Sequence, residues 1–114
     1  MVGQIQGGSA QGMGLAVMEE IQIDRGKIRN PSFTDYLIPT ALDLPALQVA
    51  SIIEEAEPDA PFGAKGVGEP PTISSTAAVL AAVRAATGMD ITRAPVRPAD
   101  IALARNQRST GGSR

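Results

Sequence analysis

Cysteine and histidine are both missing from this chain. Their absence excludes disulfides, iron–sulfur clusters ligated by the chain, four-cysteine or histidine-rich zinc sites, serine–histidine triads and cysteine nucleophiles. If a metal takes part, another chain or a cofactor must hold it. Aromatic residues are scarce too: Phe33, Tyr36 and Phe62 amount to 3% of the sequence, and there is no tryptophan. A chain of 114 residues and 11.7 kDa typically buries about two-thirds of its extended surface on folding. Here that core must be built from Ala, Val, Ile, Leu and Met, which is thin for an independent domain. No apolar run reaches the roughly 18–20 residues needed to span a bilayer. The start Met1-Val2-Gly3-Gln4 lacks the basic and apolar regions of a signal peptide, so a cytoplasmic protein is expected. A net charge of −2, a pI near 5.0 and the lack of any Lys/Arg cluster argue against a nucleic-acid surface.

What the chain does have is glycine, placed in two informative stretches. In Gly63-Ala64-Lys65-Gly66-Val67-Gly68-Glu69-Pro70-Pro71, the three glycines permit positive φ and close backbone approach to a ligand. Pro70 and Pro71 suit a first helical turn, whose N–H groups go unpaired anyway. Glu69 therefore stands at a helix N-terminus, where the helix dipole favours the ionised carboxylate that a general base needs. The competing reading is that Glu69 merely caps this helix. The second stretch, from Gly3 to about Glu19, carries a helix-compatible pattern despite five glycines. On that helix Gln4, Gly7, Gly8, Gln11 and Gly12 share one small, amide-bearing face. That face invites either a packed helix or a polar ligand read by the glutamine amides.

Between these stretches, Glu20 to Asp24 and Lys27 to Asn30 alternate polar and apolar about Arg25-Gly26, which predicts a β-hairpin. Asn30-Pro31-Ser32, Ile38-Pro39-Thr40 and Asp43-Leu44-Pro45 punctuate an irregular stretch. Leu47 to Ile53 has the pattern of a strand. The acidic residues Glu54, Glu55, Glu57 and Asp59 that follow suit a solvated loop better than a metal site. Thr72 to Thr87 is apolar nearly all round, with Arg84 as its only charge and Gly88 as a stop. Such a helix needs burial on most sides, and the chain has little with which to cover it. Pro98-Ala99-Asp100 opens a short helix through Ala104, and Asn106 to Arg114 has the composition of a disordered tail.

Laid out in order, these motifs resemble the C-terminal part of the molybdopterin-binding large subunit of the xanthine dehydrogenase and aldehyde oxidase family of molybdenum hydroxylases. The resemblance runs through Gly3-Gln4-Ile5-Gln6-Gly7-Gly8-Ser9-Ala10-Gln11-Gly12, Glu19-Glu20, the hairpin, Asn30 to Thr40, and Gly63 to Pro71. It implies an α+β fragment of the molybdopterin-binding domain over residues 1–105, with two longer helices and a small, mainly antiparallel sheet, followed by the tail 106–114. It also implies that Glu69, in Gly-Val-Gly-Glu, is the active-site base. In the family mechanism that glutamate deprotonates a molybdenum-bound hydroxide, whose oxygen attacks an electron-poor carbon while hydride passes to a terminal sulfido ligand. Gln4 maps onto the glutamine that contacts the molybdenum cofactor, and the backbone amides of Gly66, Val67 and Gly68 are further expected cofactor neighbours. The pterin dithiolene holds the metal, so no protein side chain is expected to ligate it.

The expected cofactor is molybdopterin with molybdenum, in the cytosine dinucleotide form. The 2Fe-2S and FAD sites would lie in partner domains or subunits. Expected partners are the remaining large-subunit domains, those iron–sulfur and flavin subunits, and a small heterocycle or aldehyde; a homo-oligomer stays open. Family large subunits contain several hundred further residues that supply most of the cofactor pocket and the substrate channel. The chain is therefore expected to be a fragment of a xanthine or hypoxanthine dehydrogenase-like enzyme, inactive by itself. Two other readings remain: a non-catalytic assembly or oligomerisation module of the same fold, and a phosphate-binding domain built on the Gly63 to Gly68 loop. The latter lacks a P-loop signature and has Lys65 as its only cation.

Overall fold

The computed structural model describes residues 1–46 and 51–103. Two helices dominate it: α1 over Val2–Val17 and α2 over Pro70–Thr87. Between them lie a hairpin of β1, Ile23–Asp24, and β2, Lys27–Ile28, and a single 3-10 turn at Pro61–Gly63. Residues 98–103 are also helical. This is an α+β segment with two longer helices and a two-stranded antiparallel sheet, as the motifs led one to expect.

α1 forms despite its glycines because two of them are used for packing. A Cβ on Gly8 would stand 2.6 Å from Pro71 Cβ, and one on Gly12 would stand closer still to Ser75 Cβ and 3.0 Å from Thr76 N. No real Cβ tolerates such approaches, so the helix axes come as close as backbones allow. The contacts advance together, Gly8 on Pro71 and Thr72, then Gly12 on Ser75 and Thr76. The two helices consequently run parallel with their N-termini at the same end. Of the two uses expected for the small amide-bearing face, helix packing accounts for Gly8 and Gly12, while a Cβ on Gly7 would meet nothing within 4 Å.

The hairpin pairs Ile23 with Ile28 and Asp24 with Lys27. Arg25 and Gly26 both adopt positive φ, 49° and 76°, the geometry of a tight two-residue turn whose twist matches its strands. The ladder is shorter than the alternation suggested, because both strands are exposed and no second layer rewards extension. Its open end is closed by Asn30 instead: Gln22 N–H donates to Asn30 Oδ1 at 2.8 Å, and Asn30 Nδ2 donates to the Glu20 carbonyl at 2.7 Å.

The strand-like run Leu47 to Ile53 is not seen as a strand where it is described: residues 51–53 have no regular structure, and 47–50 lie outside the described residues. Ala104 and the tail 106–114 also lie outside them. The acidic residues of 54–59 stay largely exposed, and no group of acidic side chains among the described residues could hold a metal ion. α2 ends as expected, with Gly88 in the left-handed region at φ 63° and its N–H bonded to the Arg84 carbonyl at 2.7 Å.

The core is small and sits at the C-terminal end of α1. Ala16 is fully buried and Val96 is 4% exposed, joined by a bond from Val96 N–H to the Ala16 carbonyl at 2.8 Å. Beside it the Glu20 carboxylate accepts from Arg93 Nη2 at 3.0 Å and Arg97 Nε at 2.7 Å. By contrast no residue of α2 is buried, and Ile73 is 74% exposed. The accessible surface is 8904 Å², whereas a compact monomer of this mass would expose about 5,900 Å². No helix among the described residues is long and apolar enough to cross a membrane.

Candidate active site

The parallel packing of α1 and α2 decides what meets at their N-terminal end. Gln4, in the first turn of α1, and Gly68, just before α2, are 64 positions apart in sequence. Yet a Cβ on Gly68 would find Gln4 Oε1 as its nearest neighbour, at 3.9 Å. The next residue is Glu69. The structure thus brings Gln4, Gly68 and Glu69 to one end of the helix pair, with Gly66 and Val67 on the loop leading in.

Glu69 is exposed and occupies the position before α2, with φ −85° and ψ −37°. Its carbonyl begins the helix, accepting from Thr72 N–H at 2.9 Å and Ile73 N–H at 3.2 Å. Its carboxylate makes no capping bond. A capping Glu69 would fold back onto these same N–H groups, so the capping role does not account for the side chain. Among the described residues the carboxylate has no hydrogen-bond or ion-pair partner.

The three loop glycines divide the two uses that glycine permits, positive φ and close backbone approach. Only Gly63 takes positive φ, at 67°, next to Phe62 at 59°. A Cβ on Gly63 would also strike Ala56 Cβ at 2.6 Å, so this glycine serves a tight turn, with Gly63 N–H bonded to the Ala60 carbonyl at 2.9 Å. Gly66 and Gly68 serve openness instead: the space beside Gly66 is empty to 4 Å. The backbone N–H groups of Lys65, Gly66, Val67, Gly68 and Glu69 donate to no atom of the described residues. Five consecutive donors without a described acceptor, all exposed but the half-buried Val67, therefore lead up to the carboxylate. Two helix N-termini converge there as well, each adding partial positive charge.

Behind Glu69 a cleft of about 510 Å³ is lined by Gln11, Leu15, Gly68, Thr72, Ile73, Thr76 and the glutamate itself. Thr72 Oγ1 donates to Gln11 Oε1 at 3.3 Å across it. A second cleft of about 490 Å³ shares Gln11, Leu15 and Thr72 and runs on to Phe33, Tyr36 and Ile38. There Tyr36 Oη donates to Glu19 Oε2 at 2.8 Å, a bond that holds the phenol above its ordinary pKa, helped by desolvation. The part played by Thr72 is not legible in the sequence, where it is one more helical residue.

Set beside known proteins, residues 1–45 match the family model of a molybdopterin cofactor-binding domain. Over 98 residues the chain is 45% identical to the putative xanthine dehydrogenase molybdenum-binding subunit of Escherichia coli K12, covering 84% of this chain and 13% of that protein. It is 36% identical over 99 residues to the aldehyde oxidoreductase of Megalodesulfovibrio gigas, covering 87% of this chain and 11% of that one. The crystal structure of quinoline 2-oxidoreductase from Pseudomonas putida 86 superimposes with a TM-score of 0.83 at 38% identity, over 93% of this chain and 14% of that one. The chain belongs to the xanthine dehydrogenase and aldehyde oxidase family, as a segment of its molybdopterin-binding large subunit. It spans about an eighth of the length of these relatives.

Proposed function

We propose that this chain carries the proton-accepting residue of a molybdenum hydroxylase, with Glu69 as general base and Gln4, Gly66, Val67 and Gly68 as its contacts to the cofactor. The observation that carries the reading is the meeting of Gln4, Gly68 and Glu69 at one end of the helix pair. The residues suit an anionic pterin cofactor on their own chemistry. Five unpaired backbone donors, a free primary amide and two helix N-termini favour a negatively charged, hydrogen-bonding group. The missing side chain at Gly66 lets such a group approach the backbone. No metal-ligating side chain is needed, because the pterin holds its own metal. Bound molybdopterin, proposed in its cytosine dinucleotide form, supplies the oxidative hydroxylation of an electron-poor carbon.

The chain's own residues then divide the remaining work. Gln4 fixes the cofactor by its amide, and the N–H groups of 66–68 hold it from the loop side. Glu69 takes up a proton at a carboxylate oxygen. Its role needs a side chain not engaged elsewhere, and Glu69 has no partner among the described residues. The substrate class is an N-heterocycle or an aldehyde, with a purine of the xanthine type favoured by the match to the xanthine dehydrogenase subunit. Electrons leave through 2Fe-2S and FAD centres in partner domains or subunits, and the rest of the large subunit completes the pocket. The chain alone is proposed to be inactive.

The test is Glu69→Gln in the complete enzyme, which removes proton acceptance but keeps shape. Turnover should be lost while molybdenum content and folding stay near the parent values; loss of the metal along with turnover would make Glu69 structural. The second reading is an assembly module of the same fold, favoured by the uncovered faces of α2. It predicts unchanged turnover per molybdenum in Glu69→Gln.

A further inference from the structure

The contact between α1 and α2 does more than join two helices, because the two groups of the proposed site lie on opposite sides of it. Gln4 belongs to α1, while Gly68 and Glu69 lead directly into α2. No side-chain bond among the described residues ties Glu69 down: its carboxylate has no described partner, and the N–H groups of the loop before it bond to no atom of the described residues. The position of Glu69 relative to Gln4 is therefore set by how closely and at what register the helices pack. Besides the Thr72–Gln11 bond, two features set that packing. Gly8 and Gly12, one turn apart, admit Pro71 and Ser75 to distances that any side chain would forbid. The Thr76 hydroxyl then latches the register by donating to the Gly12 carbonyl at 3.1 Å. A carbonyl inside a helix is most open to such a donor where no side chain shields it.

We infer that Gly12 and Thr76 are positioning residues for Glu69: their contact holds the carboxylate at its working distance from Gln4 and the cofactor. This rests on the reading of Glu69 as the base. The effect should be large for a pair that makes no bond to Glu69, although Thr76 lines the same cleft, because a displacement of about 1 Å at a catalytic group can cost about a hundredfold in rate. Gly12→Ala must force the helices apart, since the new methyl meets Ser75 Cβ and the Thr76 backbone at once. Thr76→Val keeps the shape of Thr76 and removes only the latch. Thr76→Ser restores it.

The experiment measures kcat in the complete enzyme for Gly12→Ala, Thr76→Val and Thr76→Ser, each in the parent and in the Glu69→Gln background. A positioning role predicts about a tenfold or greater loss of kcat for Gly12→Ala and a smaller loss for Thr76→Val in the parent. It predicts near-parent kcat for Thr76→Ser, and less than about a twofold further loss in the Glu69→Gln background, where no base is left to misplace. Equal losses in both backgrounds would overturn it, because a contact that merely supports the fold costs the same with or without the base. No loss in either background would overturn it too.

A second readout is independent of turnover. No native cysteine lies in these residues, so in the complete enzyme Gln4→Cys with Gly68→Cys gives a pair whose short bis-alkylating cross-link is read by mass spectrometry as one linked pair of peptides from this segment. The cross-link should form with Thr76 present and fall severalfold with Thr76→Val; unchanged cross-linking would contradict the latch. Should Gly12→Ala fail to fold, Thr76→Val carries the test by itself. If Glu69→Gln retains parent turnover, the reading of the base has failed rather than the positioning.

Discussion

The two ends of α1 are built on opposite principles. At its C-terminal end polar groups are matched within the chain: Asn30 closes the hairpin with both ends of its amide, Glu20 receives two arginines, and the Ala16 carbonyl receives Val96 N–H. At its N-terminal end the Gln4 amide, the Glu69 carboxylate and five consecutive loop N–H groups find no partner among the described residues. Water satisfies such groups at no great cost while they are exposed. The difference nevertheless separates a supporting end from a binding end. Groups matched internally have nothing left for a ligand, whereas unmatched donors at two helix N-termini are prepared for an anion.

Substitutions at the two ends should therefore differ in kind. The largest expected effect is at the binding end. Glu69→Gln should lower turnover by about a hundred- to ten-thousand-fold, the usual worth of a general base, while changing thermal stability little, because the carboxylate has no bond to lose. At the supporting end, Asn30→Ala leaves the Gln22 N–H and the Glu20 carbonyl unpaired beside a residue only 6% exposed. A stability loss of about 1–3 kcal/mol is expected, measured by denaturant unfolding, with turnover per folded enzyme unchanged. Gln4→Ala should follow at the binding end. Losing one amide contact, about 0.5–1.5 kcal/mol, should weaken molybdenum retention roughly two- to twelvefold, read by metal analysis, with little change in the kcat of enzyme that keeps the metal.

The smallest effect is pH-dependent and belongs to the supporting end. The Arg97 hydrogen bond, with the charges of Arg97 and Arg93, holds the Glu20 carboxyl below its ordinary value of 4.5. A lowered folded-state pKa means that the ion pairs contribute above the unfolded value and that this contribution is lost as pH falls through the folded one. Stability should thus decline below about pH 4.5, and Glu20→Gln should flatten that part of the profile.

Much of this division was legible in the residues themselves. Pro70-Pro71 and Gly88 bracket α2 where the structure has it, and Arg25-Gly26 marks the hairpin turn. The proposed site residues follow one motif each, so Gln4 and Glu69 could be singled out separately. That they meet depends on parallel helix packing, a contact across more than sixty residues that no local pattern encodes; the Gly8 and Gly12 spacing hinted at a close neighbour without saying which. The loop glycines left their division of labour open for a related reason. Glycine is compatible with both a strained φ and an unshielded backbone, and only tertiary structure shows that Gly63 uses the first and Gly66 the second. Residues 51–53 have a strand's composition but no partner strand among the described residues, and pairing rather than composition makes a strand.

The most direct test sets the two ends side by side in the complete enzyme. Turnover per molybdenum and the unfolding midpoint are measured for Glu69→Gln and Asn30→Ala. The account predicts that Glu69→Gln loses turnover at an unchanged midpoint and that Asn30→Ala lowers the midpoint at unchanged turnover. Parent-like turnover per molybdenum in Glu69→Gln, or a midpoint that falls as far as in Asn30→Ala, would contradict it.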